Sequence, residues 1–319
     1  YAIDQFVLRG GRLLVFVDPL AESDPGYNQI DLSGTSTPVS SDLPRLFAAW
    51  GLAYDPSRVV LDQRNALNVQ PDPNSPPVRH LAILGLHKDV MNSKDVVTSG
   101  LETVNLSSAG ALALRDDSPL KMEALLQSSR AWKFSDSDSV RAAANNPGVL
   151  ADGFKPDPDD VRLLAARLTG PLTSAFPERA GPTHLATSTR DANLIVIADT
   201  DLLSDRLWVA VQEFLGREVY NPFANNADFA YNAVDNLVGN ADLIAVRTRV
   251  TANRPFERVD VIRRAAEQRY LAKEKKLQQQ LDELEQKLTQ LQPEAKPGAA
   301  APADERAAPA TPAAPEHPN

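Results

Sequence analysis

This chain predicts an α/β fold on a mostly parallel sheet, and three observations carry that expectation. Two short runs, Leu13-Leu14-Val15-Phe16-Val17 and Leu194-Ile195-Val196-Ile197-Ala198, are apolar at every position. That is the pattern of strands covered on both faces. Strand-length segments alternate with amphipathic helical ones. The stretches between them are rich in Pro, Gly, Ser and Asp, as surface connections are.

Residues 2–18 predict a helix running into a strand. Ile3, Phe6, Val7 and Leu8 give one apolar face, and Gly10-Gly11 ends the helix because glycine tolerates positive φ. Arg12 to Asp18 follows as a buried strand, stopped by Pro19. Residues 22–45 carry no period and predict a long surface loop. Asp42 to Gly51 predicts a short helix capped by Asp42, with Leu43, Leu46, Phe47 and Trp50 at helical spacing. Val59-Val60-Leu61 and His80 to Leu86 predict strands on either side of the proline-rich span Pro71 to Pro77, and Thr103 to Leu106 predicts another.

Further on, a short helix is expected around Met122 to Ser129. Asp159 to Leu168 predicts a second, with Val161, Leu164, Ala165 and Leu168 on one side, and Asp205 to Leu215 a third, through Leu207, Val211 and Leu215. Segment 225–236 is amphipathic through Phe229, Ala230, Ala233, Val234 and Leu237, and its asparagines are expected to satisfy backbone groups locally. Arg254-Pro255-Phe256 reads as a hinge, Pro255 breaking the preceding strand and Phe256 stapling a helix start.

From Glu257 to residue 292 there is no Gly or Pro, and Glu, Gln, Lys, Arg and Leu dominate. Leu277, Leu281, Leu284, Leu288 and Leu291 step at the a/d spacing of a coiled coil. At ~1.5 Å per residue this arm would reach roughly 50 Å. From Pro293 the chain is Ala- and Pro-rich and predicts a disordered tail. The expected domains are therefore 1–255, an α/β body; 256–292, a long helix; and 293–319, the tail.

A net charge of −9, with no basic block, argues against a nucleic-acid surface. The absence of cysteine removes thiolate catalysis, disulfides and thiolate metal sites. No run approaches the ~20 apolar residues that span a bilayer. The Tyr1 start, with a helix beginning at once, reads as a piece of a longer protein.

The leading candidate site is Asp199-Thr200-Asp201 with Asp205, at the end of a central strand. Ligands in open α/β sheets bind beyond the carboxyl ends of strands, and alternating carboxylates suit Mg²⁺ or Ca²⁺. The alternative is structural: Asp201 caps a helix starting near Leu202, and Asp199 bonds loop amides. Asp18, also at a strand end, could approach the cluster, although Pro19 suggests a turn role. Gly10-Gly11 precedes its strand, so it presents no helix N-terminus to a phosphate, and no Gly-x-x-x-x-Gly-Lys-Ser/Thr occurs. This chain is not itself the ATPase of anything. His80, His87, His184 and His317 form no metal-pair spacing, and no Gly-x-Ser-x-Gly elbow is present.

Several segments together resemble the GldG-like family of gliding-motility-type auxiliary components of ABC transporters. They are Ile3-Asp4-Gln5-Phe6-Val7-Leu8-Arg9-Gly10-Gly11 into Val15-Phe16-Val17-Asp18-Pro19, and Leu168-Thr169-Gly170-Pro171-Leu172-Thr173-Ser174-Ala175-Phe176-Pro177. With them go Ala198-Asp199-Thr200-Asp201-Leu202-Leu203, Pro222-Phe223-Ala224-Asn225-Asn226, and Arg254-Pro255-Phe256. The resemblance implies a fold similar to class I glutamine amidotransferase-like domains and Rossmann-like sheets. It also implies a non-enzymatic, cofactor-free extracytoplasmic component of an ABC export or motility machine. Its partners would be an ABC ATPase and a permease, at the bacterial inner membrane, with this portion facing the periplasm and the anchoring helices outside it. No catalytic residue set comes with the resemblance. Two other classes stay open: a metal-dependent hydrolase using Asp199, Asp201 and Asp205, and a scaffold self-associating through Leu277 to Leu291.

Overall fold

Burial on both faces decides the centre of the fold. The structure, a computed structural model, describes residues 1–29, 37–70, 76–157, 160–214 and 217–239. Its elements run α1 (Ala2–Leu8), β1 (Leu13–Phe16), α2 (Pro44–Trp50), β2 (Leu52–Tyr54), β3 (Arg58–Asp62), β4 (Ala66–Val69) and β5 (Val78–His87). They continue with β6 (Thr103–Ser107), β7 (Leu112–Leu114), β8 (Lys121–Gln127), β9 (Trp132–Asp136), α3 (Ser137–Ala142) and β10 (Leu163–Gly170). Last come β11 (Ala192–Ile197), β12 (Val209–Phe214), β13 (Arg217–Pro222) and α4 (Asn226–Val238).

The fold is mixed α/β. The main sheet has the order β1-β11-β10-β7-β2, with β8 also paired to β10. Only β1 and β11 run parallel there, from Leu13 opposite Leu194 to Phe16 opposite Ile197. β10 is antiparallel to β11, β8 and β7, and β7 to β2. The expected mostly parallel sheet is thus corrected to a mixed one. Full burial of a strand follows from layers on both faces, and an antiparallel strand so covered carries the same unbroken apolar run. The smaller sheets, β4-β5-β6, β3-β9 and β12-β13, are antiparallel as well.

Alternation along β11 divides the core. Leu194, Val196 and Ala198 pack with Val7 and Leu8 of α1 and with Leu46, Phe47 and Trp50 of α2. Ile195 and Ile197 face the other way, toward Phe229, Ala233 and Leu237 of α4 and Val104 and Leu106 of β6. One strand therefore feeds two cores, as the period of two requires.

Three segments expected to be helical are strands. β8 (sequence KMEALLQ) is composed of strong helix formers, but its edge pairs with β10 from Lys121 opposite Thr169 to Gln127 opposite Leu163. Tertiary pairing outweighs a propensity of a few tenths of a kcal/mol per residue. In β10 the helical spacing of Leu164, Ala165 and Leu168 is an accident of a strand buried on both faces, where periodicity says little. Of the segment expected as a third helix, the described part gives a 3-10 turn, Asp205–Leu207, and β12, Val209–Phe214, which pairs with β13.

The helix boundaries agree better. Gly10, at φ +89°, closes α1 with the Gly11 N–H on the Phe6 carbonyl (2.9 Å) and the Gly10 N–H on the Val7 carbonyl (2.8 Å). This is the paired C-terminal bonding that glycine permits. Asp42 does not cap α2. Its Oδ1 accepts from the Leu43 N–H (2.6 Å), Leu43 occupies the N-cap, and Pro44 supplies the preset φ of the first turn. The arm with Leu277 to Leu291, the hinge at Pro255 and the tail lie outside the described residues.

A buried ion pair fastens α4 to the sheet. Arg167 of β10 meets Asp95 through Nε (2.8 Å) and Nη2 (2.9 Å), while Nη1 donates to Asn236 of α4 (2.7 Å) and Asn193 of β11 (3.2 Å). Arg167→Leu should lower stability by about 3–5 kcal/mol in urea denaturation, because it strands Asp95 without its cation. Arg64→Leu, at the exposed Arg64–Asp89 pair, should cost less than about 1 kcal/mol in the same assay.

Candidate functional site

Because β1 and β11 are parallel and in register, the residues just past their ends lie side by side. Asp18 and Asp199 each follow their strand by two positions, and Asp201 comes two further on. The three are buried, and one carboxylate oxygen from each lies within 4.8 Å of the others. Two of the three residues expected from sequence, Asp199 and Asp201, are in this cluster. Asp205 is exposed on the next turn, and the third member is Asp18, which its own place at a strand end allowed to approach the cluster.

Every oxygen of the cluster accepts a backbone N–H. Asp18 takes Leu20 on Oδ1 (2.8 Å) and Thr200 on Oδ2 (2.7 Å), with the Thr200 hydroxyl added at 2.6 Å. Asp199 takes Leu202 on Oδ1 (3.0 Å) and Ser107 on Oδ2 (2.7 Å). Asp201 takes Ser23 on Oδ1 (2.8 Å) and Glu22 on Oδ2 (2.7 Å). Asp199 thus bonds loop amides as the structural alternative had it. Asp201 opens the 3-10 turn Asp201–Leu203 but holds the 22–23 loop rather than a helix start.

Burial pushes Asp18 up to about 7; the amide and hydroxyl bonds from Thr200 and Leu20 oppose this, and neighbouring Asp201 adds to it. Asp199 is also raised well above the ordinary carboxylate range, first by burial and then by Asp18 and Asp201. Two desolvated carboxyls this close share protons as a unit.

Beside the cluster sits a second polar group that the sequence did not mark. Ser108 follows β6 at φ +54°, the one non-glycine residue of positive φ among those described. Its N–H donates to the Ala82 carbonyl (2.8 Å) and its Oγ to Glu22 Oε1 (2.6 Å), which the Ser107 hydroxyl also reaches (2.8 Å). Arg206 donates to Glu22 Oε2 (2.9 Å) and to Ser107 Oγ (3.2 Å). Nothing in Ser107-Ser108-Ala109-Gly110 signals left-handed backbone. The long-range partners Glu22, Ser107 and Arg206 have no local spacing to be read.

The asparagines of segment 225–236 turn out to be anchors. Asn225 Oδ1 accepts from the Glu102 and Thr103 N–H groups (3.0 and 3.2 Å). Asn226, fully buried, accepts from Asn105 N–H (2.9 Å) and donates from Nδ2 to the carbonyls of Asn105 and Leu202 (2.8 Å each). Asn232 donates to the Val97 carbonyl. Asp4 and Gln5 of α1 do the same at the other end of the sheet. Asp4 accepts from the Ala175 N–H and the Ser174 hydroxyl, and Gln5 makes both bonds to the Leu185 backbone.

These features define a mixed α/β body whose buried polar side chains hold loops and helix ends to the sheet. The chain matches, over residues 1–233, the ABC transport auxiliary family, described as an ABC-type uncharacterized transport system, and it belongs to that family. It is accordingly an auxiliary component of an ABC-type transport system. No curated protein matches the chain.

The raised Asp18 has a consequence for pH. The folded carboxyl binds its proton at about pH 7 and the unfolded one near 3.8, so between these values the folded chain holds a proton that the unfolded chain has lost. This contribution to stability is therefore full below pH 3.8 and lost as pH rises through about 7. Taking the body from about pH 5.5 to about 7.5 should cost on the order of 2 kcal/mol, and Asp18→Asn should flatten that slope. Urea midpoints across the window check it. A midpoint that stays level or climbs across the window would mean that Asp18 is already ionised in the folded chain at about pH 5.5.

Proposed function

We propose that the chain is a non-enzymatic, GldG-like auxiliary component, working by protein contact beside an ABC ATPase and a permease on the extracytoplasmic side of the membrane. The observation that favours contact over chemistry is the outer face of α4. Tyr231, Val234 and Val238 are 65%, 48% and 82% exposed and fall on one stripe, opposite the buried Phe229, Ala233 and Leu237. Val219, Tyr220 and Phe223, on the neighbouring stretch of chain, are exposed as well. Apolar side chains grouped this way on a surface mark interaction sites. The leucine seam Leu277, Leu281, Leu284, Leu288 and Leu291 is a second contact in this reading, for self-association or a partner helix.

The metal-dependent hydrolase is the less favoured reading. Each oxygen of Asp18, Asp199 and Asp201 already accepts an amide N–H, and Asp18 Oδ2 the Thr200 hydroxyl as well, so the carboxylates are engaged in holding loop backbone before any cation arrives. Among the described residues no helix is long and apolar enough to cross a membrane.

Purification of the full-length protein from native membranes should bring down an ABC ATPase and a permease. Tyr231→Asp with Val238→Asp should lose both partners while changing body stability by no more than about 0.5 kcal/mol, the range of ordinary surface substitutions. Retention of both partners by the double variant would move the contact away from α4. Absence of either partner in the parent would overturn the reading.

A further inference from the structure

The outer face of α1 is made of Ala2, Ile3, Phe6 and Arg9, while Asp4, Gln5, Val7 and Leu8 turn to the body. Ile3 and Phe6 sit one turn apart there and remain 44% and 50% exposed. Two glycines shape the end of this face. Arg190 fills the space that a Cβ on Gly10 would need, and the Phe6 ring fills that of Gly11. An aromatic ring and a cation are thus seated on adjacent residues.

The charge around this face runs against the rest of the chain, whose net charge is −9. Arg9, Arg12, Arg179 and Arg190 are all exposed around it. Arg9 donates to the Thr183 carbonyl and Arg12 to the end of α4, so both heads are held in place while keeping their charge. Arg179 lies over the Tyr1 ring, 4.4 Å from its centroid. Among the described residues none of the four forms an ion pair. Of the acids on the same stretches, Asp4 is buried against the Ser174 hydroxyl and the Ala175 N–H, and Glu178 pairs with Arg45. Against the four cations stand Asp191, next to Arg190 in sequence, and Asp235 near the end of α4.

We propose that this face of α1 rests on an anionic lipid surface, with Ile3 and Phe6 entering the headgroup layer and the four arginines meeting lipid phosphates. Arginine stems lie along apolar surface and carry their heads out to such an interface. A specific protein interface buries about 1,200 Å² or more, which two half-exposed side chains do not supply. A lipid surface asks only for a few inserted apolar groups and for cations near the headgroups. The inference goes beyond the contact reading and does not depend on it, because Ile3, Phe6, Arg9 and Arg190 are not on the α4 stripe.

Co-sedimentation of the 319-residue chain with vesicles tests it, using mixed phosphatidylglycerol and phosphatidylcholine against phosphatidylcholine alone. The chain should bind the mixed vesicles about tenfold or more tightly than the neutral ones. Raising the salt from about 0.1 M to about 0.5 M should release most of it. Arg9→Gln with Arg190→Gln should weaken binding by about tenfold or more, with the thermal midpoint unchanged. Ile3→Ser with Phe6→Ser should weaken it by about fivefold or more. If that pair lowers the thermal midpoint, the arginine pair decides. Tyr231→Asp, on the α4 stripe, should bind vesicles as the parent does. Equal binding to neutral vesicles, full binding by the arginine pair, or an equal loss in Tyr231→Asp would overturn the proposal. So would a chain that ignores vesicles while Ile3→Ser with Phe6→Ser sheds a membrane protein, which would give this face to a protein partner. Loss of the transporter partners with vesicle binding intact would reach only the functional reading.

Discussion

Parallel registry of β1 with β11 is the constraint on which the rest of this structure depends. It brings Asp18 and Asp199 to the same level beyond the carboxyl ends of the two strands, and from there the carboxylates of Asp18, Asp199 and Asp201 reach five stretches of backbone. Residues 20, 22–23 and 200 are thereby fixed without forming any regular element, together with Ser107 at the end of β6 and Leu202 in the 3-10 turn. A carboxylate accepting backbone N–H groups in a dry site makes stronger bonds than a neutral acceptor would. The opposing cost is desolvation of several acids at once, visible in the upward push on Asp18 and Asp199. Such a cluster trades some stability for a defined loop geometry.

The elements that sequence revealed best were those whose signal is local. The α1 helix with its Gly10 ending, the α2 helix with Gly51 after it, the strands β1 and β11, and the buried Phe229, Ala233 and Leu237 of α4 all depend on neighbours a few residues away, although Val234, expected on the same stripe, faces outward. β8 and β10 were misread for a common reason: their identity is set by partners dozens of residues distant, Thr169 opposite Lys121 among them. The β12-β13 hairpin was missed because Val209 and Val211, which fit a helix, fit a strand equally well, and their partners Pro222 and Tyr220 come only after the turn.

At the site the split is similar. Asp199 and Asp201 were legible from their place after an apolar strand. Asp205 was taken with them because chain proximity looked like spatial proximity, whereas the chain turns it outward to solvent. The positions of Glu22, Ser108 and Arg206 were beyond reach, since each meets the others only across the folded sheet. The asparagines of segment 225–236 are structural as expected, but they bond backbone distant in sequence rather than local groups. Their partners, Asn105 and Leu202 for Asn226, could not be named in advance, and neither could the tie between Asn236 and Arg167.

One contact bears on how the body carries mechanical load. Arg12, the residue before β1, donates from Nη1 to the carbonyls of Leu237 (2.9 Å) and Gly239 (3.1 Å), closing the C-terminal end of α4 with a cation where the helix dipole favours one. Tension arriving along the backbone at Gly239 has a direct route through that guanidinium to β1. From there it passes into the parallel ladder that joins β1 to β11. The last helix and the first strand thus form a single traction unit, so that a pull from the C-terminal side enters the sheet at its edge strand β1 and passes inward to β11.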